Sequence, residues 1–253
     1  MRPISIVIIA KNEELVLGRT LNSLRNITDD IVVADTGSTD DTINTARKSG
    51  ARVETLIWHG FGSTKNAALQ LAKYDWVLFL DADEAIDSML FSFLENVSLQ
   101  DDQLLYKIKF KNYFGKQLIR YGEWGNESKI KLFNKNVACW DNTNVHEKVI
   151  APPGTNIKIA EGYILHELID NINEYVQKIS LYADLAAQKY FQQEKKASWF
   201  KLYIYPFYQF FFFYIIRLGL LDGRIGFITS YVSAYYSFLK YHRLKELSLQ
   251  LAA

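Results

Sequence analysis

The chain is poor in the residues that mark several protein classes. Its single cysteine, Cys139, allows no internal disulfide and no CxxC metal knuckle, which fits a reducing compartment. Lys and Arg number 29 against 28 Asp and Glu, so the excess of cations expected of a general nucleic-acid binder is missing. Repeats and low-complexity linkers are absent, and 49% of the 253 residues are hydrophobic. A chain of that length and composition can bury a large core, which excludes disorder and disulfide-stapled mini-folds. Long apolar runs are scarce near the start. Ile4–Ala10 is too short for a leader and enters Lys11-Asn12-Glu13-Glu14 with no small-residue cleavage site, so it reads as a buried strand of a cytoplasmic protein.

What is present is unevenly placed. From Lys195 to Lys245 there are eight Lys/Arg and one acid, Asp222, so the remainder of the chain is acidic. Between Trp199 and Tyr241 lie 17 aromatic residues. The expected division is therefore 1–195, a catalytic-type α/β domain, and 196–253, an aromatic and basic helical tail.

Residues 1–84 alternate β-branched runs with helix patterns. Strands are expected at 4–10, 31–34, 52–58 and 76–80, with Leu17, Leu21 and Leu24 spaced for a helix between the first two. Asp40 and Ser63 are placed to cap the next two helices, the second running to Lys73. Strand–helix repeats predict an open parallel sheet with helices on both faces, whose ligands bind beyond the carboxyl ends of the strands. Segments 105–110, 117–121, 129–133 and 156–160 read as strands of a smaller mixed sheet. A helix is expected over 171–193.

Two acidic elements fall at predicted strand ends. Asp81-Ala82-Asp83 presents carboxylates at i and i+2, hard ligands suited to Mg2+ or Mn2+ holding substrate phosphates, although an isolated pair also reads as a solvated turn. Asp35 opens the loop Thr36-Gly37-Ser38-Thr39-Asp40, where a carboxylate can accept the imide N–H of a uracil ring.

These spacings resemble family 2 glycosyltransferases, whose GT-A fold binds nucleotide sugars. The likeness rests on SIVIIAKNEE (5–14), IVVADTGSTDD (31–41), GSTKNA (62–67) and VLFLDADE (77–84). It implies that Asp35 holds the base of the donor and that Asn12 and Glu13 lie near base and ribose. Lys65 and Asn66 would line the diphosphate side. Asp81 would approach ribose and metal, and Asp83 would ligate the metal with His166. Further stretches, Gly122-Glu123-Trp124, Lys131-Leu132-Phe133, Val145-His146-Glu147 and Arg217-Leu218-Gly219-Leu220-Leu221-Asp222-Gly223, are similar to bacterial enzymes that add β-linked glucose to lipopolysaccharide core heptose. Lys131 stands where that branch often has Arg, and loses bidentate geometry. Trp124, Lys131, Trp140 and His146 are expected near acceptor or diphosphate.

The resemblance implies an inverting, metal-dependent hexosyl transfer from a UDP-sugar to a lipid-linked glycan. Glu147 is the candidate general base and Asp141 its rival; a surface ion pair of Glu147 with Lys148 is the non-catalytic reading. The tail suggests two helices lying on an anionic membrane at the cytoplasmic face. A hairpin packed on the domain or in a homodimer is the alternative, and a membrane span over 203–221 a third. A nucleotidyltransferase would want a Gly-rich phosphate loop after the first strand, which Lys11-Asn12-Glu13-Glu14 is not. A non-catalytic membrane-docking protein would be expected to have lost the paired aspartates or the base.

Overall fold

The computed structural model describes residues 3–141, 147–169 and 172–250. The first part alternates as the β-branched runs require: β1 (Ile4–Ala10), α1 (Leu17–Ser23), β2 (Ile31–Asp35), α2 (Thr42–Lys48), β3 (Arg52–Thr55), α3 (Phe61–Leu69), β4 (Trp76–Asp81), β5 (Glu84–Ile86) and α4 (Ser88–Asn96). Six strands follow: β6 (Leu104–Phe114), β7 (Gln117–Ile119), β8 (Ser128–Asn134), β9 (Cys139–Trp140), β10 (Val149–Ile150) and β11 (Asn156–Ile169). Last come α5 (Ile172–Gln192), α6 (Tyr205–Phe211) between π-helical turns Phe200–Ile204 and Phe212–Ile216, a 3-10 turn Gly219–Asp222, and α7 (Gly223–Gln250).

The principal sheet has the order β3-β2-β1-β4-β8-β6-β11-β5, with β7 paired to β6. Its first four strands are parallel, and Ile4, Ile6, Val7 and Ile8 are fully buried, as covering on both faces demands. Register sets Ala10 beside Asp35 and Ile9 beside Asp81, so the carboxyl ends of β1, β2 and β4 lie side by side. This is the GT-A arrangement expected from the sequence. The smaller sheet contains different strands from those anticipated. β6, β8 and β11 extend the principal sheet, whereas the separate sheet is the antiparallel pair β9–β10. Helix starts also differ: Gly60, with φ of 90°, precedes α3, and Ser63 lies inside that helix, which stops at Leu69. Asp40 accepts from the Thr42 amide at 3.1 Å but sits one residue before the N-cap, Asp41.

One compact unit runs to Phe110 and resumes over Ser128–His166; the other comprises Lys111–Glu127 and the chain from Glu167 onward. In the second unit α5 and α6 pack on α7, around Ala187, Leu202, Tyr241 and Leu244. Asp222 ties its parts together. Its carboxylate accepts from the amides of Arg120 (2.9 Å) and Tyr121 (2.8 Å), while Gly122 donates to the Arg217 carbonyl at 2.9 Å. A Cβ on Gly226 would stand 1.7 Å from the Gly219 carbonyl oxygen, so only glycine permits α7 to start against that turn. Among the described residues no helix is long and apolar enough to cross a membrane.

In the first unit, buried Asp30 staples the strand starts opposite the site. It accepts from Ser5 Oγ (2.5 Å) and the Lys73 amide (2.8 Å), and Ser5 Oγ accepts from the Tyr74 amide at 2.8 Å. Asp30→Ala strands the Lys73 donor and the Ser5 hydroxyl, and should lower stability by about 2–3 kcal/mol in urea unfolding.

Candidate active site

The loop after β1 and the loop after β2 are zipped by side chains. Asn12, held at φ of 57°, accepts from the Thr39 amide (2.8 Å) through its Oδ1 and donates its own amide to Ser38 Oγ (2.9 Å). The Glu13 amide donates to Thr42 Oγ1 at 2.7 Å, and Glu14 accepts from the Asp41 amide at 2.8 Å. Asp35 is buried at the root of this pair. Its carboxylate accepts from the amides of Gly37 (3.0 Å) and Ser38 (3.1 Å), folding its own loop into a nest. With about four acceptor sites on a carboxylate, a further donor can still be accommodated.

At the end of β4 the geometry is governed by two buried lysines. Lys65, from α3, donates to Glu147 Oε1 at 2.7 Å and lies 3.2 Å from Asp81 Oδ1. Its ammonium sits 4.6 Å from the Trp140 ring centre. Lys131, from β8, reaches Glu84 Oε2 at 2.5 Å and Asp81 Oδ2 at 3.3 Å. Lys131, expected near acceptor or diphosphate, is 1% exposed and pairs with the carboxylates at the strand end. Burial would raise the pKa of Asp81, but Lys131 and Lys65 together hold it well below the usual carboxylate range. Burial would lower Lys65, and Asp81 and Glu147 overcome it. Glu84, fully enclosed, has its pKa raised by burial despite Lys131.

The turn carrying Asp83 is fixed from two sides. Thr20 Oγ1 donates to the Ala82 carbonyl (2.8 Å), and the Arg19 guanidinium donates to the Asp83 (3.2 Å) and Leu165 (3.4 Å) carbonyls. β11 pairs antiparallel with β5, setting His166 opposite Glu84, and His166 Nε2 lies 3.3 Å from Asp83 Oδ2. Burial would depress the His166 pKa, but the Asp83 hydrogen bond and charge carry it above 6.5.

The structure thus brings Lys65, Asp81, Glu147, Lys131 and Glu84 into one chain of contacts, and Asp83 with His166 into a pair. Asn66, expected on the diphosphate side, braces the neighbouring strand. Its side chain donates to the Trp140 carbonyl and accepts from the Trp140 amide, both at 2.8 Å, pinning β9. Asp141 accepts from the Lys148 amide at 3.1 Å and closes the β9–β10 connection, whereas Glu147 pairs with Lys65 and not with Lys148. Trp124 belongs to the second unit, where its carbonyl accepts from Asn112 at 2.9 Å. His146 lies outside the described residues. Arg19 and Glu84 are site residues that motif reading passed over. Glu84 was legible as the fourth letter of Asp-Ala-Asp-Glu; Arg19, on the helix after β1, carried no signal.

In metal-free protein the protonated His166–Asp83 pair contributes stability. A raised folded-state pKa makes that contribution complete below the unfolded value of 6.5 and removes it as pH rises through the folded value. The gap in Tm between the native chain and His166→Gln should therefore narrow as pH climbs above 6.5 in melts run with chelator.

The chain is similar to known proteins over most of its length. The family model described as "Glycosyl transferase family 2" matches residues 5–148. An uncharacterized glycosyltransferase of Rickettsia typhi is 34% identical, with 99% of this chain and 89% of the relative covered. The lipopolysaccharide core biosynthesis glycosyltransferase LpsC of Rhizobium meliloti is 28% identical over 94% of this chain and 90% of its own. Among solved structures, glucosyl-3-phosphoglycerate synthase of Mycobacterium tuberculosis with Mn2+ and UDP-glucose is 27% identical. That match covers 44% of this chain and 43% of the other, with a TM-score of 0.36. This chain belongs to glycosyl transferase family 2.

Proposed function

We propose that the protein transfers a hexose, with glucose the first choice, from a UDP-sugar to a lipid-linked glycan of the lipopolysaccharide core type, with inversion. The single observation that carries this reading is Lys65, which joins the donor-side carboxylate Asp81 to the candidate base Glu147 through one ammonium. Support for the acceptor class comes from the relative named for lipopolysaccharide core biosynthesis. Residues 1–195 would carry the transfer, and 196–253 would meet the cytoplasmic surface of the membrane that bears the acceptor.

Asp35, with Asn12 and Glu13, would receive the uracil and ribose in the zipped loops. Asp83 and His166 fit a divalent cation: one hard carboxylate oxygen and one imidazole nitrogen leave room for water and phosphate oxygens, as Mg2+ and Mn2+ require. Among the described residues no ready-made group of three or more His, Cys, Asp or Glu could hold a metal, in keeping with a site completed by the donor. A bound divalent ion supplies neutralisation of the leaving diphosphate. Lys65 is placed to turn from Glu147 toward the diphosphate when donor binds, which frees the Glu147 carboxylate. The acceptor hydroxyl then attacks the anomeric carbon, the bond to the diphosphate oxygen breaks, and Glu147 takes the hydroxyl proton. Trp140 is buried in the core with the Lys65 ammonium over its ring, so its part is to brace that ammonium.

Purified protein should release UDP from one member of a UDP-sugar panel in the presence of Mn2+ or Mg2+, followed by detection of free nucleotide. No binding or turnover of any nucleotide sugar would overturn the reading. Glu147→Gln should retain UDP affinity in calorimetry while transfer falls about 10²–10⁴-fold. Asp83→Ala should abolish the enhancement of UDP binding by Mn2+; an unchanged metal dependence would remove Asp83 from the site.

A further inference from the structure

The segment 199–216 has an unusual pattern of exposure. Outward-facing side chains recur every four residues: Trp199 and Phe200, Tyr203 and Ile204, Phe207 and Tyr208, Phe211, then Ile215 and Ile216. Phe207 and Ile216 are 69% and 68% exposed. The inward side repeats at the same interval. Leu202 and Pro206 are buried, and Phe210 and Tyr214 pack on Phe227 of α7 at 5.5 and 5.8 Å.

A four-residue repeat does not match an α-helix. At 3.6 residues per turn each repeat drifts by about 40°, so four repeats would carry the apolar side about 160° around the axis. The π-helical turns on either side of α6 counter that drift. The Tyr205 amide donates to the Phe200 carbonyl and the Arg217 amide to the Phe212 carbonyl, both i to i−5. Each such turn accommodates about one additional residue and sets the phase back by about 100°, so the two together slightly more than cancel the drift and leave the stripe within about 40° of one side. Exposed cations stand near both ends: Lys195 and Lys196 before the stripe, Arg217 and Arg224 after it. Lys240, by contrast, is buried among Tyr190, Tyr236 and Tyr241, and does not contribute to that surface.

We infer that 199–216 forms one continuous face that lies flat on an anionic lipid surface, and that the paired π-turns exist to keep its aromatic stripe on a single side. The inference deepens the lipid-borne acceptor reading and rests on it. Aromatic rings beside aliphatic side chains suit the headgroup boundary, and cations at both ends suit anionic lipid. A wholly hydrocarbon partner would leave those cations and the tyrosine hydroxyls unsolvated.

The test uses the full chain carrying Cys139→Ser, since Cys139 is exposed. An environment-sensitive fluorophore is attached in turn at Phe200→Cys, Ile204→Cys, Phe207→Cys, Phe211→Cys and Ile216→Cys, with Tyr205→Cys as the inward control. Vesicles of phosphatidylcholine, with and without phosphatidylglycerol, are then added. All five outward positions should shift to the blue with the anionic vesicles, and the control should not. A shift confined to one end, or none, would overturn the continuous face. A shift that arises without lipid and disappears on dilution would assign the face to a second copy of the chain and would equally overturn it. In unlabelled protein, Phe207→Glu with Phe211→Glu should lower vesicle binding about tenfold or more. Release of UDP from a soluble mixture should be unchanged in that variant. Vesicle binding without any UDP release would sink the transferase reading while leaving this one standing; the reverse result would do the opposite.

Discussion

Two ammonium groups threaded among three carboxylates organise the edge where the strands of the first unit end. Desolvating such ions costs several kcal/mol each, so the arrangement stands only because every charge has a partner within about 3.5 Å. The contacts fix α3, β8 and the segment after β9 to the end of β4. The two lysines are not equivalent. Lys131 is sealed in, with Glu84 equally enclosed, and acts as a permanent counter-charge. Lys65 and its partner Glu147 keep 7% and 15% side-chain exposure, against 1% for both Lys131 and Glu84, so Lys65 is the less enclosed of the two cations. The site therefore combines a sealed cation with a less enclosed one, and the partner exchange proposed for Lys65 rests on that difference.

The loops after β1 and β2 are organised by another means. Its two loops satisfy one another's backbone amides through Asn12, Ser38, Thr42 and Glu14, and Asn12 holds a left-handed conformation that asparagine tolerates better than most residues. Asp35 spends much of its hydrogen-bonding capacity on Gly37 and Ser38. Its carboxylate is thereby held in a fixed orientation before any ligand enters, which lowers the ordering cost of binding.

Much of this was legible in the sequence. Continuous apolar runs, two of them ending in acids, marked the positions of β1, β2 and β4, because a strand covered on both faces has little freedom in composition. Asp35, Asp81 and Asp83 could be placed for the same reason. The antiparallel half was harder to read. A strand's alternation tells which face is buried and not which neighbour it pairs with, so β6, β8 and β11 were assigned to the wrong sheet. Asn66 and Lys131 illustrate a second limit. A motif identifies residues near a ligand, but whether each faces the ligand or braces a neighbour depends on cross-strand geometry. The His166–Asp83 pair depended on the register of β11 against β5, which no local pattern encodes.

The Asp222 clasp changes what the tail is. Its carboxylate accepts from the amides of Arg120 and Tyr121, 102 and 101 residues earlier in the chain, and the Gly122 amide donates to the Arg217 carbonyl. A segment that resembles a detachable anchor in composition is thus sewn to an earlier loop of its own compact unit. Any soluble fragment made by cutting ahead of the aromatic stretch would leave those amides without acceptors and the loop without its frame. The exposed aromatic surface and the loop at 117–122 must therefore be inherited, expressed and engineered together.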